Sequence, residues 1–412
     1  MTHCGKELRT YMERGIRHVA SAFRGRSAGS AAEKDAQAYF ARELGAVADR
    51  VETQPFALHP KAFLGWMIFA SLFDLTAVAM YWLRGVNSSL WIAVAGVVCI
   101  YASFLMDLFE FVLYRRFVDR LFPKATSYNV FARYAPRGNV RRRIVFCGHA
   151  DAAYEMTFAR HGGKKALGPV LVLSTLGMVY MMACNTAVLV CALRGTPAPL
   201  TGIWLAMGIG GLLFIPAFIG IMLFINWGCV VDGANDNLTG CYVAIGVLKA
   251  LKEAGIRPEN TEVCCLITGA EEAGLRGALA FAESNKGEFE KEETLFIALD
   301  TMREVEQLMV YTRGQNGLVK NSAAVGRLLM EAGEACGRPL PVANAFLGAT
   351  DAEAFTRHGL LACGFCGVNH DPMPYYHTRA DSADNIDMDC VALSLDICLK
   401  ALELYDEKGL CG

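Results

Sequence analysis

The stretch Arg143-Ile144-Val145-Phe146-Cys147-Gly148-His149-Ala150-Asp151 decides how the rest of the chain is read. Four consecutive apolar residues, Ile144 to Cys147, indicate a strand buried on both faces, as central strands of α/β sheets are. The strand delivers a histidine and an aspartate at its carboxyl end, the edge at which open α/β sheets build their sites. Two further apolar runs end in the same way. Glu262–Thr268 leads into Gly269-Ala270-Glu271-Glu272-Ala273-Gly274, and Leu295–Leu299 ends on Asp300. Gly233-Ala234-Asn235-Asp236-Asn237 stands just before a helix, and Tyr376-His377-Thr378 falls in a late loop.

Working outward, Val51–Phe56 and Tyr128–Tyr134 read as strands and Ala31–Leu44 as a helix. Leu238–Ala254 has helical spacing through Val243, Val247, Leu248 and Leu251, with Gly255 as its stop and Pro258 beyond. Val319–Cys336 and Cys390–Leu404 read as later helices. Strands that alternate with helices predict an α/β domain, a sheet covered by helices.

This domain is interrupted. Of 412 residues, 54% are hydrophobic, and the mean hydropathy is +0.30, above the range of soluble domains. The excess lies near Phe63–Leu83, Leu90–Phe109, Leu167–Leu193 and Leu200–Trp227, each of the length, about 20 residues, that crosses a bilayer. They form two hairpins, joined at Arg84–Ser89 and Arg194–Pro199. The predicted division is one soluble domain from 1–60, 113–163 and 228–412, with membrane hairpins at 61–112 and 164–227. Lys61, Arg115, Arg116, Arg120, Lys124, Arg160, Lys164 and Lys165 flank the spans on the side of the long segments, against Arg84 and Arg194 in the links. That bias places the soluble part in the cytoplasm, at the cell membrane. Asp74 lies within the first span, where a carboxylate marks a polar path or a helix–helix contact. Asp107 and Glu110 suit the interface.

The net charge of -2 gives no electrostatic footprint for nucleic acid. The fifteen cysteines lack a disulfide framework, so reduced thiols are expected. Cys363 and Cys366 lie in an apolar stretch, as buried thiols or as a redox or zinc half-site. The first sixteen residues are polar and charged, so no cleavable leader is expected.

Two imidazoles and three carboxylates, His149, Asp236, Glu272, Asp300 and His377, are a ligand set suited to zinc. Glu271 stands beside them, free to act on a water. In these residues the chain resembles the co-catalytic di-zinc exopeptidases, which include bacterial leucyl aminopeptidases, glutamate carboxypeptidase and the related glutaminyl cyclases. Also matching are Ala28-Gly29-Ser30 with the Ala-Ala-Glu-Lys-Asp helix after it, Asn129-Val130, Asp381 and Asp384-Asn385-Ile386-Asp387. The resemblance covers the soluble part and none of the spans. Gly348-Ala349-Thr350-Asp351-Ala352-Glu353 departs from the family pattern, as does the small Ala152 after His149-Ala-Asp151.

The resemblance implies a mixed central sheet flanked by helices and two zinc ions bridged by Asp236. His149 and Asp300 complete one site, Glu272 and His377 the other. Asp151 orients His149 by accepting its ring N–H, and Tyr376 steadies a tetrahedral intermediate. The implied reaction is peptide-bond hydrolysis by a water held between the metals, with Glu271 as general base, in an aminopeptidase acting on peptides. Rival readings are a single-zinc, glutaminyl-cyclase-like acyltransferase, an inactive membrane scaffold and a transporter. The N-terminal segment, His149 and the remaining ligands lie on three sides of the two inserts, so one site can form only if each insert crosses an even number of times. Asp236 follows Trp227 by nine positions, which at about 3.3–3.6 Å per residue keeps the site within roughly 30 Å of the last span.

Overall fold

The computed structural model describes residues 4–196, 198–345, 348–369, 371 and 373–410. Among the described residues the strands are β1 (Arg50–Leu58), β2 (Ala125–Tyr134), β3 (Arg142–His149), β4 (Tyr154–Met156), β5 (Ile225–Val230), β6 (Thr261–Thr268), β7 (Glu293–Met302), β8 (Met309–Gly314), β9 (Val319–Lys320), β10 (Val342–Asn344) and β11 (Leu361–Gly367). Nine form one sheet in the order β1-β2-β6-β3-β7-β11-β8-β10, with β9 on β8; β4 and β5 pair separately. The centre, β6-β3-β7-β11, is parallel, while β1, β2 and β8 join antiparallel. The sheet is therefore mixed, and three of its parallel strands deliver site residues to one edge.

Helices α1 (Lys6–Ala22) and α2 (Ala31–Gly45) precede five apolar ones: α3 (Ala62–Val86), α4 (Leu90–Met106), α5 (Thr157–Leu193), α6 (Gly202–Leu212) and α7 (Ile215–Met222). After them come α8 (Gly240–Ala254), α9 (Arg276–Phe289), α10 (Ala323–Ala335), α11 (Asp351–Arg357) and α12 (Met388–Lys408). Alternation along the strands builds a core on each sheet face. Ile144 and Phe146 of β3 pack with Val243, Val247 and Leu248 of α8. Val145 and Cys147 face Ala278, Phe281 and Ala282 of α9. Gly148 is required by close approach, since a Cβ there would lie 2.7 Å from the backbone nitrogen of Cys241.

Four stretches, Ala62–Val86, Leu90–Val112, Thr157–Leu193 and Gly202–Met222, are long and apolar enough to cross a membrane. Their outer faces expose Trp91, Val98, Ile203 and Leu213. Inside, α3 packs on α4, α4 on α5, α5 on α7 and α7 back on α3, closing a ring.

The observed elements differ from the sequence reading at several places. The last apolar stretch divides at Leu213–Phe214, where Pro216 opens a new helix for want of a backbone N–H. It ends at Met222, and residues 225–230 form β5. Val319–Lys320 pairs with β8, so the helix expected from Val319 starts at Ala323, capped by Ser322. Cys363 and Cys366 are buried on β11, three residues apart and hence on opposite faces, and neither is in a disulfide.

Candidate metal centre and catalytic residues

His149 ends β3, and the loop after β6 presents Glu271 and Glu272. Asp300 lies near the end of β7, and the chain beyond β11 returns with Tyr376 and His377. Asp236 sits in a tight turn over Ala234–Thr239, where its non-helical backbone (φ -111, ψ 87) delays the helix expected from Leu238 until Gly240. Asn237 fixes this turn against β7: its amide donates to the Leu299 carbonyl at 2.7 Å, and its Oδ1 accepts from Thr301 N at 3.2 Å.

All five expected ligands converge. Asp236 Oδ1 lies 3.2 Å from His149 Nε2, and Asp236 Oδ2 lies 3.2 Å from His377 Nε2. Glu272 Oε1 is also 3.2 Å from His377 Nε2. Donor atoms of His149, Asp236 and Asp300 lie within 4.8 Å of one another, as do those of Asp236, Glu272 and His377. Asp236 belongs to both groups. Glu271 Oε2 stands 3.9 Å from His149 Nε2, and the Tyr376 ring stacks on His377 at 4.0 Å.

The electrostatics of this cluster call for cations. Burial, reinforced by Asp236, pushes Asp300 up to about 7. Burial chiefly holds Glu271 well above the usual carboxylate range, and it raises Glu272 too. Burial works against a charged His377, yet Glu272 and Asp236 outweigh it and raise the imidazole to about 10. Carboxylates this close cannot all ionise unaided. Glu272 Oε1 is buried facing His377 Nε2 at 3.2 Å, and an imidazole–carboxylate set of this kind fits zinc.

The supporting contacts are buried. Asp151 accepts the amides of Glu271 and Glu272, both at 3.0 Å, through its two carboxylate oxygens. His149 Nδ1 lies 3.3 Å from the Asp151 carbonyl and 3.4 Å from its carboxylate. Asp151 thus holds the glutamate loop as well as facing the imidazole. Asp381 accepts from Asn235 N at 2.6 Å and Asp236 N at 3.2 Å. Asp351 lies beneath the site, taking a 2.6 Å hydrogen bond from Thr268.

Two positioning residues escaped the sequence reading. Arg26, fully buried, donates to the carbonyls of Ala150 at 2.9 Å and Asp232 at 2.8 Å, tying the His149 loop to the Asp236 loop. Glu33 accepts from Gly29 N at 2.7 Å and from Ala270 N at 2.8 Å. The Ser30-to-Glu33 spacing of a capping box was a visible signal for Glu33; an arginine bonded to carbonyls far along the chain leaves none.

The mixed sheet, with imidazoles and carboxylates gathered at one edge, is a fold that solved aminopeptidases share. The solved aminopeptidase from Aneurinibacillus sp. strain AM-1 shares that fold with a TM-score of 0.56 at 15% identity, over 96% of this chain and 93% of that one. The zinc aminopeptidase BSAP from Bacillus subtilis gives 0.55 at 15% identity, over 97% and 95%. An Acidobacteriales bacterium glutaminyl cyclase gives 0.56 at 14%, over 99% and 98%. No curated protein matches by sequence. Residues 223–402 match the model of Peptidase family M28, a span holding every expected metal ligand except His149. The matched segment resembles M28 peptidases, and the fold as a whole is similar to that of solved aminopeptidases.

Proposed function

We propose that the chain is a membrane-embedded exopeptidase that holds two zinc ions and removes residues from the amino end of peptides. The observation that carries this reading is the division of Asp236, one carboxylate oxygen toward each imidazole at 3.2 Å. Asp236 would bridge the ions, with His149 and Asp300 on one and Glu272 and His377 on the other. Bound there, the ions would polarise the scissile carbonyl and bring the pKa of a shared water toward about 7.

The chain supplies the proton traffic. Glu271 takes the proton from the attacking water and delivers it to the departing amine, a step worth roughly 10²–10⁴-fold. Its backbone, pinned by Asp151, keeps that carboxylate beside His149. The Tyr376 hydroxyl donates to the developing oxyanion. Segments 1–60, 113–163 and 228–412 form the catalytic unit at the cytoplasmic face, and the hairpins at 61–112 and 164–227 anchor it. The site adjoins the hairpin bases: Met156 N, just before α5, donates to the His377 carbonyl at 2.8 Å, and a Cβ on Gly274 would meet the Phe63 ring at 2.7 Å.

The test is mass spectrometry of a mixed peptide pool, with N-blocked and C-blocked members, incubated with the zinc-loaded protein in detergent. Stepwise loss of amino-terminal residues, abolished by N-blocking and by Glu271→Gln, is expected. Loss from the carboxyl end would keep the mechanism and reverse the specificity. Cyclisation of amino-terminal glutamine without cleavage would replace this reading by an acyltransferase.

A further inference from the structure

We propose that the bundle of apolar helices contains a binding site for an amphiphile carrying one cationic amine on an apolar chain. The proposal rests on those helices lying in a membrane and does not depend on the peptidase reading. A cavity of about 420 Å³ lies within the ring of α3, α4, α5 and α7, a size that suits a small organic ligand.

Its walls are mainly apolar, with Trp66, Met67 and Ala70 from α3 and Leu171 from α5. Val172 and Leu176, also in the lining, are exposed on the outer surface of α5, so the cavity opens sideways where lipid chains would lie. Two carboxylates interrupt this surface, Asp74 and Asp107, accompanied by the hydroxyls of Ser103, Ser174 and Thr175. Asp74 is 6% exposed, and its Oδ1 is buried without a hydrogen-bond partner. A carboxylate in hydrocarbon is costly and marks a partner by its presence.

Among the described residues the lining contains no lysine, arginine or histidine, so the partner has to bring its own positive charge. The same lack disfavours a phospholipid, whose phosphate would find no cation. An ammonium group between Asp74 and Asp107, with its chain along Leu171 and Met67 toward the lipid, meets the charge and the shape together.

The test is equilibrium binding of radiolabelled dodecylamine to the full chain in zwitterionic nanodiscs, with empty discs subtracted. Saturable binding of one amine per chain is expected, displaced by unlabelled dodecylamine and not by dodecanol. Asp74→Asn should weaken it by about tenfold or more. Leu171→Trp, which fills the cavity and leaves both carboxylates intact, should abolish it, so the outcome does not hang on one variant folding. An unchanged elution volume and unfolding midpoint report that each variant is intact. Absence of saturable binding, equal displacement by dodecanol, or binding indifferent to Leu171→Trp would overturn the proposal.

Discussion

Asp151 holds Glu271 by its main chain, the Asp151 Oδ1 accepting the Glu271 amide at 3.0 Å. The other oxygen holds Glu272 in the same way, and the Asp151 carbonyl faces His149 Nδ1. One buried residue therefore sets the positions of the proposed base and of a proposed ligand to each metal. Asp151→Asn keeps the size and replaces one acceptor with a donor that faces an amide. Zinc affinity should fall by roughly 10–100-fold, and excess zinc should restore metal content before it restores turnover. Wild-type zinc titration curves for the variant would refute this positioning role.

Tyr376 lies flat on His377, so Tyr376→Phe keeps the stacked ring and removes only the hydroxyl. The expected result is kcat lowered by about 10² with KM and zinc content nearly unchanged. Steady-state kinetics on a single peptide decides it. A rise in KM alone would move Tyr376 to substrate binding.

The metal-free site also makes a prediction about pH. With its pKa raised to about 10, His377 carries a proton at neutral pH when zinc is absent. Asp300 and Asp381, raised to about 7, are partly protonated there. Zinc must displace protons from His377 and Asp300, so apparent affinity should rise with pH between about 6 and 9. In the zinc-free protein the sign is reversed for His377: the stability its charge contributes is full below the unfolded histidine value and lost as pH rises through about 10. Calorimetric zinc titrations in buffers of different ionisation enthalpy measure the protons released. No proton release at pH 7 would contradict the protonated cluster.

Arg276, just after the loop that carries Glu271 and Glu272, joins α9 to the end of the first hairpin. It lies 3.0 Å from Asp119 and 3.9 Å from Glu110, and all three side chains are buried. Removing the cation strands two carboxylates, a change that typically costs about 3–5 kcal/mol. Arg276→Met should therefore lower the unfolding temperature in detergent. The triple variant that also carries Glu110→Gln and Asp119→Asn should recover part of the loss. An unchanged midpoint for Arg276→Met would show that the cluster contributes nothing.

Much of this site was legible because its chemistry is local. Strand ends such as Gly148-His149 and Leu299-Asp300 announce themselves by an apolar run that stops at a ligand, and Glu271 and Glu272 follow another. What holds these groups was less legible. Arg26 reaches residues 124 and 206 positions away, and only the folded chain brings such partners together. Boundaries failed where two signals overlap. Leu200–Trp227 is continuously apolar, so neither the break before Pro216 nor the strand Ile225–Val230 shows in its hydropathy. The four long apolar helices, by contrast, follow from composition alone.

The most direct test of the account combines elemental analysis with turnover for the wild type and Glu271→Gln. The account predicts about two zinc ions per chain in both proteins and a kcat lowered roughly 10²–10⁴-fold in the variant. One zinc per chain in the wild type, or a Glu271→Gln enzyme that turns over at the wild-type rate with its metals bound, would contradict it.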